Sequence, residues 1–97
     1  MQEKVIKHAK GYCKKYNIKF DEDFVLLKLY EEVGELAQDV LIHRKKCRPE
    51  KYLTAKKTKE EIAKELADIL GILILNAYLL DIDLEEAISK KWINRKL

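Results

Sequence analysis

The chain has 97 residues, of which 47% are hydrophobic and 38% are charged, so it can bury a core and is not disordered by composition. Its net charge of +3 is too small to indicate a nucleic-acid binder by itself. Three Gly, one Pro and two Cys argue against a loop-rich sandwich, a disulfide scaffold and a zinc site. Because we find no membrane-length apolar stretch and no signal-peptide pattern, we expect one soluble, cytoplasmic, helical domain over residues 1–97.

The first two predicted helices are amphipathic. The first runs from about Glu3 to Tyr16 and places its apolar residues on one stripe, with lysines opposite. The second runs from about Phe24 to Lys46 and has an apolar face wide enough for a core helix. We expect Asp21 or Asp23 to cap this helix and Pro49 to end it, because proline lacks a backbone donor.

The third and fourth predicted helices follow a basic connection. The third begins at Thr58, where Thr58 and Glu61 have the spacing of a capping box, and continues to about Leu80. From Ile69 onward it is apolar nearly all round, so another subunit is expected to cover part of it. The fourth runs from its cap at Asp83 to about Asn94. The pattern predicts an all-α four-helix bundle that is completed by oligomerisation, as a homodimer or a tetramer.

Four carboxylates lie beside the apolar stripes of the second and third helices, namely Glu32, Glu35, Glu65 and Asp68. Each i, i+3 pair lies within one helical turn, so two antiparallel helices would bring all four acids to one place. Four carboxylates this close repel one another, so the arrangement is reasonable if a divalent cation offsets their charge. Mg²⁺ accepts carboxylate oxygens as ligands. We therefore assign all four as metal ligands, and Glu31 as a solvated acid or an outer support of the ligands.

Two features keep other interpretations open. A Glu-x-x-Glu pattern alone is most often a solvated helix face, and Lys28 or Lys64 offers an ordinary ion-pair partner for the second pair of acids. Residues 43–59 hold eight Lys or Arg and one acid, a net charge of +7. This basic segment is interpreted either as a surface loop, as an element that steers a polyanion to the acids, or as a nonspecific nucleic-acid contact.

The pattern Glu-Glu-x-x-Glu, followed about thirty residues later by Glu-x-x-Asp, resembles the MazG family of all-α nucleoside triphosphate pyrophosphohydrolases. The similarity runs from about Phe24 to Arg95 and includes the stretches Leu29–Ala37 and Lys64–Leu70. The pattern also resembles related dimeric dUTPases and dCTP pyrophosphatases. The resemblance implies that Mg²⁺, with Mn²⁺ as a substitute, is held by the same four acids, which would form the catalytic site.

The resemblance further implies hydrolysis of a nucleoside or deoxynucleoside triphosphate between its α and β phosphates, which clears non-standard or excess nucleotides. A C-terminal group of residues would contact the phosphates, and the matching positions are Lys90, Lys91, Asn94 and Arg95. The expected partners are this substrate and further copies of the chain, with no membrane and no nucleic acid. The alternatives are a non-catalytic helical interaction module and a nucleic-acid-binding bundle that uses segment 43–59.

Overall fold

A computed structural model describes residues 1–96, and over that range it contains helices and no strand. The four α-helices are α1 (Gln2–Lys15), α2 (Glu22–His43), α3 (Ala55–Leu79) and α4 (Leu84–Ile88). A short 3-10 turn, Pro49–Lys51, lies between α2 and α3, and a π-helical turn, Ser89–Ile93, continues α4. This architecture confirms the predicted all-α fold class. Among the described helices, none has the length and apolar character needed to cross a membrane.

The core is a seam between α1, α2 and α3. Its buried centre consists of Val25 on α2 with Ile72 and Leu75 on α3, and apolar side chains of α1 pack against it. Val25 lies opposite the later part of α3, whereas the end of α2 leads directly into the loop before α3. The two longest helices are therefore antiparallel, and residues 44–54 connect them.

The molecule is flat rather than spherical. Its principal extents are 46 × 45 × 21 Å and its radius of gyration is 16.3 Å, compared with about 13 Å for a compact domain of 100 residues. Helix α4 makes few contacts with the other helices, and the side chains of Trp92 and Ile93 beyond it are 81% and 68% exposed. All four predicted helices are present, but α4 does not close a bundle around the seam within the described chain.

Three helices end with the same backbone geometry. The residues Asn17, Lys45 and Asp81 follow α1, α2 and α3, and each has a φ between 54° and 56°. The N–H of the next residue donates back to a carbonyl in the last turn of the helix, over 2.8 Å in all three cases. This is the Schellman geometry, in which a left-handed residue satisfies the last carbonyls of a helix.

The end of α2 differs from the sequence prediction. The helix ends at His43 and the chain turns at Lys45, whereas Pro49 opens the following 3-10 turn. The expectation that Pro49 ends α2 is therefore wrong. The reason is that Lys45 takes the left-handed conformation, which ends the helical path of the backbone. The carbonyl of Leu41 then accepts from the N–H of Lys46, as in the Schellman geometry.

The start of α3 also differs from the prediction. The helix begins at Ala55, and the hydroxyl of Thr54 accepts from the N–H of Lys57 over 3.1 Å. Thr58 is a buried residue of the first turn whose hydroxyl donates to the carbonyl of Thr54 over 2.9 Å. The predicted capping box of Thr58 and Glu61 is therefore wrong, because an equally suitable cap stands one turn earlier and good helix formers follow it.

The caps of α2 and α4 are as predicted. Asp21 accepts from the N–H of Phe24 over 2.9 Å, and Asp83 accepts from the N–H of Glu86 over 3.0 Å. Both carboxylates also stand at the positive end of their helix dipole. The cap at Asp21 fixes where α2 begins and so sets the helical phase of the acids that follow on α2.

Candidate active site

The antiparallel pairing of α2 and α3 brings the predicted acids together. Carboxylate oxygens of Glu32, Glu65 and Asp68 all lie within 4.8 Å of one another, and the same is true of Glu31, Glu32 and Glu35. Glu32 belongs to both groups and joins them into one patch. We call these five residues the acidic cluster.

Nearby lysines do not neutralise the four predicted ligands. Lys28 donates to Glu31 over 3.0 Å, and Lys64 contacts Glu61 over 3.3 Å. Among the ion pairs of residues 1–96, none involves Glu32 or the other three proposed ligands. Lys28 and Lys64 therefore leave the negative charge of these ligands without a counter-charge, and Glu31 is the one acid of the cluster that a lysine holds.

Burial makes the charge at the centre of the cluster costly. The Oε2 atoms of Glu32 and Glu65 are buried and have no hydrogen-bond partner among the described residues. Burial, followed by the neighbouring Glu65 and Glu35 carboxyls, raises the pKa of Glu32 to about 8. Burial also raises the pKa of Glu65 above its ordinary value. Two unpartnered, buried carboxylate oxygens on facing helices are the arrangement expected of groups whose partner is a ligand.

The donor set fits a hard divalent cation. Only carboxylate oxygens converge on the cluster, and oxygen ligands are those that Mg²⁺ and Mn²⁺ accept. Glu32 and Glu65 supply oxygens from the half-buried side, whereas Asp68 supplies one from the exposed side. The outward side of the cluster, at Asp68, is therefore open to water.

One further acid lies beside the cluster. Asp39 is half-buried on α2, and burial raises its pKa, with Glu61 and Glu35 as further causes. From the sequence, Asp39 is interpreted either as a surface residue or, because it lies one turn after the proposed ligand Glu35, as an outer support of the ligands. Glu61 is different, because hydrogen bonds from Lys57 and Lys64 lower its pKa.

The predicted phosphate-binding residues do not reach the cluster within one chain. Lys90, Lys91, Asn94 and Arg95 are all exposed. Lys90 is paired with Glu86 of the preceding turn over 2.7 Å. They follow the short helix α4, which stands apart from the α2 and α3 pair. The structure thus brings the acids together and leaves the C-terminal cations away from them.

The basic segment 43–59 runs from the end of α2 into the first turns of α3, and its Lys and Arg side chains are exposed. Two of its cations are paired with acids, Arg48 with Glu50 over 3.3 Å and Lys57 with Glu61 over 3.1 Å. The ammonium of Lys45 lies 5.7 Å from the ring centre of Tyr52. These local contacts are those of a surface loop, which is one of the three interpretations of this segment.

An open cavity of about 590 Å³ adjoins the acidic cluster. Glu32 and Asp68 belong to both the cluster and the cavity wall, so the two are continuous. The rest of the wall comes from three helices and includes His8 and Tyr12 of α1, Phe24 and Lys28 of α2, and Gly71 and Ile72 of α3. We call this space the α1 cavity.

Comparison with known proteins decides the family. The sequence model of the MazG nucleotide pyrophosphohydrolase domain matches residues 20–96. The chain belongs to the MazG family. An uncharacterised protein of Bacillus subtilis (strain 168), YpjD, is 36% identical over 92 aligned positions, which cover 90% of this chain and 79% of YpjD. No solved structure matches this chain.

Membership of the MazG family gives the cluster a chemical context. It indicates nucleotide pyrophosphohydrolase activity in general, and MazG proteins are typically metal-dependent. All five acids of the cluster lie inside the matched residues 20–96, whereas α1 precedes them. The MazG match therefore includes the acidic cluster, and the α1 wall of the cavity lies outside it.

Proposed function

We propose that this MazG protein is a Mg²⁺-dependent nucleoside triphosphate pyrophosphohydrolase. It hydrolyses a nucleoside or deoxynucleoside triphosphate between the α and β phosphates and releases the monophosphate and pyrophosphate. The observation that carries this proposal is the acidic cluster, in which the buried oxygens of Glu32 and Glu65 lack partners and no lysine pairs with the four ligands among residues 1–96. Its role in the cytoplasm is the removal of non-standard or excess nucleotides.

Each acid has a role in this proposal. The cation is held by Glu32, Glu35, Glu65 and Asp68. Glu31 accepts a hydrogen bond from Lys28 over 3.0 Å and lies beside these ligands without binding the cation itself. When bound, Mg²⁺, or Mn²⁺ in its place, supplies positive charge that stabilises the triphosphate in the transition state. A carboxylate oxygen of the cluster accepts the proton of the attacking water, which acts on the α or β phosphorus. The exposed side of the cluster, at Asp68, admits the phosphate chain.

The C-terminal residues bind phosphate in this proposal. Lys90, Lys91, Asn94 and Arg95 carry the donors and positive charges that a polyphosphate requires. Because α4 stands apart from the acids, these residues reach a cluster only if α4 changes position or comes from a second copy. If the second route holds, the binding of phosphate is linked to assembly of the protein.

We also propose that the chain forms one domain over residues 1–97 that self-associates as a homodimer or a tetramer. Apolar side chains remain exposed on both long helices, namely Leu26, Tyr30 and Val33 on α2, and Leu66, Leu70 and Leu73 on α3. Contiguous apolar faces of this kind are typical of protein interfaces. Sedimentation equilibrium tests the assembly, and a monomer at micromolar concentration would contradict it.

A phosphate-release assay coupled to inorganic pyrophosphatase tests the activity over a panel of ribonucleoside and deoxyribonucleoside triphosphates with Mg²⁺. We expect Glu35→Gln and Asp68→Asn each to abolish turnover while the helical circular dichroism is unchanged. Glu60→Gln, which alters an exposed acid of α3 outside the cluster, is the matched control and should remain active. A wild-type protein that hydrolyses none of the panel contradicts the proposed activity. Full activity of both site variants contradicts the assignment of the site.

A further inference from the structure

The outward surface of α1 is strongly basic. The helix holds five lysines and one acid, a net charge of +4, although the whole chain carries only +3. Among the ion pairs of residues 1–96, none involves a lysine of α1. The positive charge of this helix is therefore available to an anionic partner from outside the chain.

An open groove of about 550 Å³ follows this surface, and every residue that lines it lies in α1 or directly after it. The lining includes the lysines Lys4, Lys7 and Lys15 and the tyrosines Tyr12 and Tyr16. The lining positions recur every three or four residues, so they share one face of the helix. We call this space the outer groove. It shares some residues with the α1 cavity, whereas Lys7, Lys15 and Tyr16 line the outer groove alone.

We propose that the outer groove binds single-stranded nucleic acid, with phosphates on its lysines and a base stacked on Tyr16. This inference goes beyond the proposed function, because it requires neither the acidic cluster nor hydrolysis. The expectation of no nucleic-acid partner rests on the net charge of the whole chain, in which the acids of the other helices offset the lysines of α1.

The lysines of the groove are spread along its length. Lys4 and Lys15 are eleven residues apart, which is about 16 Å along a helix axis, and Lys7 lies between them. A strand with successive phosphates can contact all three lysines at once, whereas a single phosphate group cannot. Such contacts to the phosphate backbone provide affinity that does not depend on base sequence.

The two tyrosines add a surface for stacking. Tyr12 is 43% exposed and Tyr16 is 55% exposed. Their ring centres are 4.9 Å apart and the ring planes are inclined by 53°, so the two rings do not cover each other face to face. Every base has a flat face that stacks on an aromatic ring. The ammonium of Lys15 lies 5.3 Å from the ring centre of Tyr16, so this pair can hold the phosphate and the base of one nucleotide.

Gly11 forms part of the groove, and contacts within the chain do not explain it. A Cβ added at this position would meet no atom within 4 Å, so packing does not require a glycine there. Glycine also weakens the interior of a helix. Without a side chain at this position, a strand in the outer groove can approach the backbone of α1 closely.

The composition of the groove favours a nucleic-acid strand over other anionic partners. Its described lining contains no aliphatic side chain and no acid. A helix that binds a lipid surface buries an apolar face in it, and this face has no such residues. An acidic peptide would use the lysines but would leave the exposed rings unused. Only a strand of nucleotides uses both the charges and the rings.

Fluorescence anisotropy of a labelled ten-nucleotide oligo-dT, titrated in EDTA at several salt concentrations, tests the lysines. Three phosphate contacts predict a slope of about −2 for the logarithm of the binding constant against that of salt, or about twentyfold weaker binding at 200 mM than at 50 mM. We expect Lys7→Gln and Lys15→Gln each to make the slope shallower by about 0.7. Lys14→Gln, an exposed lysine of α1 outside the groove, is the matched control and should keep the slope. Equal slopes in all four proteins, or no binding by the wild type at 50 mM salt, would overturn the inference.

The same titration tests the ring of Tyr16. We expect Tyr16→Ala to weaken binding about fivefold or more and Tyr16→Phe to restore most of the loss, because stacking requires the ring and not the hydroxyl. Tyr16 lies outside the acidic cluster and the α1 cavity, so triphosphate hydrolysis by Tyr16→Ala should equal that of the wild type. Loss of oligonucleotide binding and loss of the proposed function are thereby distinguished. Unchanged binding in Tyr16→Ala would remove the base from the assignment and overturn it.

Three further probes separate the rival partners. A ten-residue polyglutamate peptide, a ten-base-pair duplex and anionic phosphatidylglycerol vesicles should each bind the wild type at least fivefold more weakly than the oligo-dT, because none offers unpaired bases. Binding of any of them as tight as that of the oligo-dT would overturn the inference. So would a double variant, Lys45→Gln with Lys46→Gln, that loses oligo-dT binding while the α1 variants keep it, since the contact would then belong to segment 43–59.

Discussion

A carboxylate oxygen of Glu32 on α2 lies within 4.8 Å of one of Glu65 on α3, and each residue has a buried Oε2 atom without a partner in the described chain. Buried polar atoms are usually hydrogen-bonded, and like charges at this distance repel. Packing alone gives no reason to place these two side chains face to face. When both side chains are charged, their arrangement costs stability, and the cation of the proposed function would offset that cost.

Mg²⁺ should stabilise the fold through these residues. At a free concentration one hundred times its Kd, the ion should add about 2.7 kcal/mol to the free energy of unfolding. For a domain of this size, that gain raises Tm by on the order of 10 °C. Differential scanning calorimetry with Mg²⁺ and with EDTA measures the effect. Glu65→Gln should remove most of the rise and Glu60→Gln should keep it, so an equal rise in both variants would count against the site.

Without metal, stability should fall as the pH rises. Because the pKa of Glu32 is about 8 in the folded chain, above its ordinary 4.5, the folded state binds a proton that the unfolded state releases between these values. The stabilisation is fully present below about pH 4.5 and is lost as the pH passes through about 8. Thermal unfolding in EDTA between pH 5 and 8.5 measures this slope.

We expect Glu32→Gln to flatten this pH dependence, because glutamine does not titrate. Glu31→Gln is the matched control, since Glu31 is exposed on the same helix and is held by Lys28. It should leave the slope as in the wild type. Equal slopes in the wild type and in Glu32→Gln would show that another group causes the dependence.

The end of α2 offers a stabilising substitution. Lys45 has a φ of 56°, a conformation that costs a residue with a Cβ about 1 kcal/mol and that glycine adopts freely. Lys45→Gly should therefore raise the free energy of unfolding by roughly 0.5–1 kcal/mol. Urea denaturation measures the difference. Lys46→Gly, at the next position, lacks this benefit and should not stabilise the protein, and a gain in both variants would point to loss of positive charge instead.

The start of α3 can be tested by comparing two threonines. Thr54→Ala removes the side chain that caps the helix at the N–H of Lys57, and it should cost about 1 kcal/mol of stability. Thr58→Val keeps the buried shape and loses only a hydroxyl that bonds within the helix, so its cost should be less than half as large. A larger loss in Thr58→Val, measured by urea denaturation, would place the cap at Thr58 as the spacing with Glu61 first indicated.

Much of the fold and of the acidic cluster follows from the sequence, because both depend on local periodicity. Apolar residues at helical spacing predict α1, α2 and α3, and the i, i+3 spacing of Glu32 with Glu35 and of Glu65 with Asp68 fixes which acids share a face. If the two helices pack antiparallel, this spacing is sufficient to bring both pairs together. The acidic cluster could thus be predicted without knowing any contact between residues far apart in the chain.

Other features depend on choices that local patterns leave undecided. Thr54 and Thr58 are both good caps, and only the structure shows that the earlier one begins α3. Nothing in the residues around Lys45 required a left-handed turn there, since lysine rarely adopts one. The α1 cavity exists because α1 packs across α3 near Gly71, a contact between residues far apart in the chain. Periodicity predicts helices but not where they cross.

The least extent of the molecule is 21 Å, which is about two helix diameters. In the single chain, the helices consequently keep a solvent-exposed side, and the packed interior is one flat layer of side chains. A slab of this thickness can bury more of its apolar side chains only by packing against another molecule.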